Sequence, residues 1–158
     1  MSKFTDFLAE AVEADEINAE TAGKTVQDAF DKHFSKSYLW SRGQPGFLNF
    51  SIFLVTPKKE ADNNSTTFDP VNVTFKLDFN TKSVEIRNKR IYVNAPEGKN
   101  AQYGRSTVSL RSFNFKDLKD LSKKADKLFN TVHTTVKNEF DSGNMSVFDG
   151  KYDIKSKL

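Results

Sequence analysis

His33 and His133 are the side chains of this sequence best suited to metal binding or proton transfer, and neither has a carboxylate at metal-ligand spacing beside it. The chain contains no Cys, which removes thiolate metal sites, disulfides and Cys nucleophiles together. Neither an H-E-x-x-H segment nor a G-x-S-x-G elbow occurs. The run Ala95-Pro96-Glu97-Gly98-Lys99-Asn100 has the outline of a phosphate loop, but it lacks the first Gly and the hydroxyl residue after Lys, so it reads as an ordinary turn. Asp15 and Glu16 pair two carboxylates in an expected interhelical turn, where acids cap helices. No catalytic residue, no metal ligand and no cofactor site is expected.

One constellation does suggest binding chemistry. Basic and aromatic residues interleave at Tyr38, Trp40 and Arg42, at Arg87, Lys89, Arg90 and Tyr92, at Tyr103 and Arg105, and at Arg111 and Phe113. Every Arg in the chain lies between positions 42 and 111. Arg both pairs with phosphate and stacks on bases, and aromatic rings on a sheet give unpaired nucleotides a platform. The plainer reading is that these cations keep a sheet surface solvated while the rings pair across strands. Charge is uneven along the chain: four Lys face eight Asp or Glu over residues 1–36, eleven basic residues face six acids over 37–113, and nine face seven over 114–158. The acidic N-terminal region and basic middle are set to attract each other, or to steer an acidic partner to the middle.

The elements that must position these groups are legible from periodicity. Phe4, Phe7, Leu8, Ala11 and Val12 recur at helical spacing, and so do Ala22, Val26, Ala29, Phe30 and Phe34, with Asn18 as cap of the second helix. Gly43, Pro45 and Gly46 stop any helix, and 47–55 is a nearly continuous apolar run that predicts a central strand. Val71, Val73, Phe75, Leu77 and Phe79 alternate with Asn72, Thr74, Lys76 and Asp78, which predicts a strand with one oily and one wet face. A turn at 80–82 leads to Val84 and Ile86, a second turn at Asn88 and Lys89 to Ile91 and Val93, and a long loop over 94–106 to a last strand at 107–113 with Val108 and Leu110 inward. The polar stretch 58–67 reads as a surface loop. From Phe115 to Phe140 the three-four spacing predicts a long helix capped by Asn114 and ended by Gly143.

The expected fold is therefore α+β: an antiparallel meander of about five strands with two N-terminal helices and one long C-terminal helix packed on one face. Residues 1–142 form a single domain. Residues 143–158 form a C-terminal arm or added strand, because Met145, Val147, Phe148, Tyr152 and Ile154 are too many sizeable apolar side chains for a solvated tail. The 158 residues suffice for one core, and fifteen Phe offset an apolar fraction of 37%. The N-terminus carries an early acid and no long apolar run, so the expected location is cytoplasmic or intravirion, neither secreted nor membrane-bound. The functional expectation is a non-enzymatic interaction or assembly protein, such as a viral or phage structural or accessory component, acting by self-association or by docking on a larger complex. A single-stranded nucleic-acid-binding accessory protein is the alternative, and a small enzyme without a recognisable motif is the second alternative.

Overall fold

The computed structural model describes residues 16–55, 69–96, 103–148 and 153–158. The helix expected over Phe4 to Val12 and the loop expected at 58–67 lie outside them. Helix α1 spans Ala19–Asp31 and starts at Asn18 as its sequence predicts. The Asn18 side chain accepts the Thr21 N–H at 2.9 Å, and the Thr21 hydroxyl accepts the Asn18 N–H at 3.1 Å. This reciprocal pair satisfies two donors that the helix itself cannot. Ala22, Val26, Ala29 and Phe30 form the buried stripe, and Phe34 is buried just beyond the helix end.

Strands β1 (Tyr38–Gln44), β2 (Phe47–Phe53), β3 (Val71–Asp78), β4 (Ser83–Asn94) and β5 (Tyr103–Thr107) pair antiparallel in sequence order. A short β6 (Phe113–Asn114) pairs with the start of β4, and helix α2 (Leu118–Asp141) follows. The architecture is the α+β meander that the alternation implied. Strand β1 was not foreseen, because only Leu39 of its seven residues is buried and no alternation marks it. Pro45 and Gly46 make its hairpin to β2, with Gly46 at φ 86°, the conformation a type II turn asks of its third residue.

The turn expected at Asn88 and Lys89 is instead the middle of one twelve-residue strand, β4. Thr74 faces Asn88 while Phe75 faces Ile86, which leaves Arg87 as the extra residue of a bulge. A bulge moves the alternation by one residue, so inward positions pass from even numbers (Val84, Ile86) to odd ones (Lys89, Ile91). The same break in phase reads from sequence as a turn. The last strand, expected over 107–113, is β5 and β6 separated by a bow, and Val108 and Leu110 are buried within that bow. Within the bow the Val108 N–H still reaches β4, at the Lys89 carbonyl, and the Ser112 hydroxyl accepts the Ile86 N–H beside the bulge at 2.9 Å. The loop expected over 94–106 is shorter, since β5 already begins at Tyr103.

Helix α2 begins at Leu118 and is capped by Asp117, whose carboxylate accepts the Asp120 N–H at 2.8 Å; Asn114 belongs to β6. Leu121, Ala125, Leu128, Phe129, Val132 and Val136 form its buried stripe. Both helices lie on the face of the sheet that carries Leu48, Phe50, Val73, Phe75 and Leu77, and Phe129 of α2 meets Phe75 of β3 at 6.0 Å between ring centres. No described helix is long and apolar enough to cross a membrane.

Where β2 ends and β3 begins, Asp69 acts as a clamp. Its two carboxylate oxygens accept the N–H groups of Val55 and Val71, each at 2.9 Å. Burial pushes its carboxyl up to about 6, although these N–H groups and the positive charge of Lys157 pull the other way.

Two expectations about stability follow from this packing. Phe75 is only 3% exposed and stacks on Phe50 at 4.9 Å, so Phe75→Ala should cost about 3 to 5 kcal/mol in urea unfolding. Thr74→Ala, on the opposite face, should cost about 1 kcal/mol or less, and equal losses would overturn the assignment of faces. The folded chain holds the Asp69 proton more tightly than the unfolded one, so the group favours folding below about pH 4 and that advantage is lost as pH rises through about 6. The thermal midpoint of Asp69→Asn should therefore gain on that of the parent chain between pH 4 and 7; midpoints that move in parallel would place the titration elsewhere.

Candidate interaction surface

With both helices on one face, the other face of the sheet is bare among the described residues. Register fixes which side chains share it, because residues directly opposite one another point the same way. Trp40 lies across from Ser51, which lies across from Thr74, which lies across from Asn88. One row along, Arg42, Asn49, Lys76 and Glu85 align, and on the other side Asn72, Arg90 and Thr107 do so. Tyr92 opposite Arg105 and Asn94 opposite Tyr103 continue the face over its far end. Arg42, Lys76, Arg90 and Arg105 thus stand on four different strands of one surface, against Glu85 and Asp78 as its acids. The Asp78 carboxylate is held below the usual range by the Thr81 N–H first and then the Asn80 N–H, which it accepts at the hairpin.

The rings concentrate at one margin. Tyr38 and Trp40 are 41% and 36% exposed, high for side chains of their size, and they alternate with Arg42 along β1. Strand β1 is an edge strand: β2 pairs with one side of it, and among the described residues nothing pairs with the other. Tyr38 also packs against Phe53 across the strand pair, with ring centres 6.3 Å apart. Lys76 sits over the Phe47 ring at 4.3 Å, so part of the basic character of this face is already engaged with an aromatic. Sequence reasoning missed Lys76, Phe47 and Phe53. The alternation of β3 marks Lys76 as outward, whereas the nearly unbroken apolar run of β2 conceals that Phe47 and Phe53 belong to the wet side.

Of the eleven residues of the basic and aromatic constellation, the sheet brings Tyr38, Trp40, Arg42, Arg90, Tyr92, Tyr103 and Arg105 to this face. Arg87, the bulged residue, stays beside it, paired with Glu85 at 3.5 Å. The other three leave the face, and Phe113 does so opposite Val84 on the helix side. Lys89 is opposite Val73 on the helix side, where its ammonium donates to the Leu110 carbonyl at 3.4 Å. Arg111 lies in the bow between β5 and β6. Tyr92 and Tyr103 meet edge to face at 6.5 Å, and Tyr103 lies against Phe148 at 5.2 Å, so both rings are held within the fold.

The fold supplies His33 with the carboxylate that its sequence neighbourhood lacks: Nε2 is 2.9 Å from Asp126 Oδ1 of α2. His133 Nε2 is 3.1 Å from the Leu158 main-chain oxygen, and its ring meets Phe34 at 5.3 Å. The two imidazoles tie the end of α1 and the last residues of the chain to α2. Among the described residues no group of three His, Cys, Asp or Glu is placed to hold a metal ion.

The C-terminal segment packs on its own domain. Met145, Phe148 and Ile154 are all buried in the same core as the sheet, whereas Val147 is 48% exposed; Tyr152 lies outside the described residues. Its described residues form no added strand. It turns across the end of β4, where the Asn94 N–H donates to the Asn144 carbonyl and the Asn94 side chain binds the Gly143 carbonyl and the Val147 N–H. It finishes in a single helical turn, α3 (Ile154–Lys157). The apolar content that predicts a docking arm is thus taken up inside this chain, because a helical return over the sheet end buries it as completely as a neighbour would.

No protein-family model, curated protein or solved structure matches this chain.

Burying a Met, Phe or Ile side chain contributes about 1.5 to 3 kcal/mol each, so three of them in the tail are comparable with a domain's whole stability. Deletion of residues 144–158 should abolish cooperative unfolding or lower the thermal midpoint by more than about 10 °C with no change in the number of chains per particle. A midpoint that stays within about 2 °C of the parent would show that the core does not depend on the tail.

Proposed function

We propose that this chain is a non-enzymatic interaction protein that assembles with a second copy of itself through edge strand β1. The observation that carries this reading is the exposed Tyr38, Trp40, Arg42 ladder on a strand with one unpaired edge. Trp, Tyr and Arg are the residues that most often dominate binding energy at protein interfaces, because each combines a large rigid contact area with a polar handle. An edge strand adds a row of main-chain donors and acceptors for strand addition. Two copies of β1 set edge to edge would bring the ladders together about a twofold axis, as symmetric dimers require.

A second reading is favoured by the four cations that share the bare face. Arg42, Lys76, Arg90 and Arg105 beside Trp40 offer a single-stranded nucleic acid both phosphate contacts and a stacking ring.

Size-exclusion chromatography with light scattering separates the two. The expected mass exceeds the 17.9 kDa of one chain and falls to it in a Tyr38→Asp, Trp40→Asp double variant at unchanged thermal midpoint. A single-chain mass at every concentration up to about 1 mM would end the self-association reading, since a weaker contact than that is worth only about 4 kcal/mol. A single-stranded oligonucleotide that co-elutes at low salt, and is released by added salt and by Arg90→Ala, would establish the second reading in its place.

A further inference from the structure

We propose that the cleft between the β5–β6 bow and helix α2 binds a small organic anion, an oxyanion group carried on a compact apolar body. The proposal stands apart from edge strand β1, because the cleft opens on the helix side of the sheet. The bulge at Arg87 creates it: strand pairing lapses beside the bulge, and residues 108–112 swing out from β4 over the flank of α2. The cavity so formed has a volume of about 310 Å³. That is the lower end of the range for small-molecule sites.

Its lining divides cleanly by chemistry. Leu110, Phe113 and Leu128 supply apolar walls, and Arg111, Lys124 and Lys127 supply three cations. Among the described residues no carboxylate lines the cavity. Lys124 is already engaged, donating to the Asn114 carbonyl at 2.6 Å and pairing with Asp120 at 3.1 Å. Arg111 and Lys127 make no ion pair among the described residues. Along α2, Lys137 has Asp141 one turn ahead, as Lys124 has Asp120 one turn behind. Lys127 has Lys123, Lys124, Asn130 and Thr131 at those spacings instead. Like charges one turn apart oppose helix formation unless an anion lies between them. The Ser109 hydroxyl adds a donor at the same mouth, whereas the Thr131 hydroxyl donates to the Lys127 carbonyl at 2.9 Å.

A guanidinium presents a planar fork that fits the two oxygens of a phosphate, sulfate or carboxylate, and an ammonium adds a point charge from the other side. Arg111 and Lys127 are therefore placed to hold the head group, while the leucines and Phe113 take the body. An inorganic ion would leave the apolar walls wet, and a neutral apolar molecule would leave two cations unanswered.

Amide NMR titrations of the full chain test this with phenyl phosphate, benzoate, inorganic phosphate and phenol as probes. Phenyl phosphate or benzoate should bind saturably with shifts concentrated at 109–113 and 124–131, and the stronger of the two names the head group. Phenol and inorganic phosphate should each bind at least about tenfold more weakly, because each lacks one half of the interaction. An Arg111→Gln, Lys127→Gln double variant, both positions being exposed, should fold with an unchanged thermal midpoint and lose about tenfold or more in affinity. The proposal falls if neither anion shifts these amides at millimolar concentration, if the shifts centre on another surface, if phenol binds as tightly as the anions, or if the double variant titrates like the parent.

Discussion

A relay of phenyl rings holds the two layers together, and the remaining structure depends on it. Phe34 stacks on Phe30 at 5.0 Å, Phe30 meets Phe129 edge to face at 5.3 Å, Phe129 meets Phe75 at 6.0 Å, and Phe75 stacks on Phe50 at 4.9 Å. The five rings run from the end of α1 through the middle of α2 into β3 and β2. Each buries a large area in a defined geometry, so a chain of modest apolar content still builds a dense core. Helix crossing, sheet position and strand register meet at Phe129 and Phe75. Displacing either ring would unseat a helix from the sheet.

Because this relay draws both helices to one face, the opposite face among the described residues carries what a core does not want: Asn49, Asn72, Asn88, Thr74, four cations and the exposed rings of β1. The bulge in β4 has a similar double effect. It keeps a long strand curved around the core, and it breaks the pairing with the segment that follows β5, opening the cleft beside α2. Both candidate surfaces are thus by-products of how the core is closed. One is wide and lies on an edge that is free among the described residues; the other is narrow and lined by cations, of which Arg111 and Lys127 make no ion pair among the described residues.

What the sequence discloses and what it conceals divide along physical lines. The alternation through β3 and the Asn18 cap are local signals, carried by residues whose partners lie within a few positions, and both appear where expected. Strand β1 is hidden because an edge strand with one buried residue has no periodicity to show. The unity of β4 is hidden because a bulge and a turn disturb alternation alike. Asp117 displaces Asn114 as the cap because β6 claims Asn114 for the sheet, a tertiary preference no local reading supplies. The open face was legible in type but not in membership: Lys89 and Arg111 leave it because of the bulge and the bow, and Phe113 because β6 sets it opposite Val84. The tail's apolar residues were visible too, yet only the return across Asn94 shows that their own domain receives them.

The Asp69 clamp has a consequence for how this chain tolerates change. Its carboxylate fastens Val55, just past β2, to Val71 at the start of β3, so the clamp and the pleat hold the pairing of these strands at the two ends of the thirteen-residue connection between positions 55 and 69. The entropy of closing such a connection grows only logarithmically, and doubling its length costs about 0.6 kcal/mol. Evolution or a protein engineer can therefore rewrite or lengthen that connection, grafting a foreign epitope or a binding loop into it, while the sheet keeps its register.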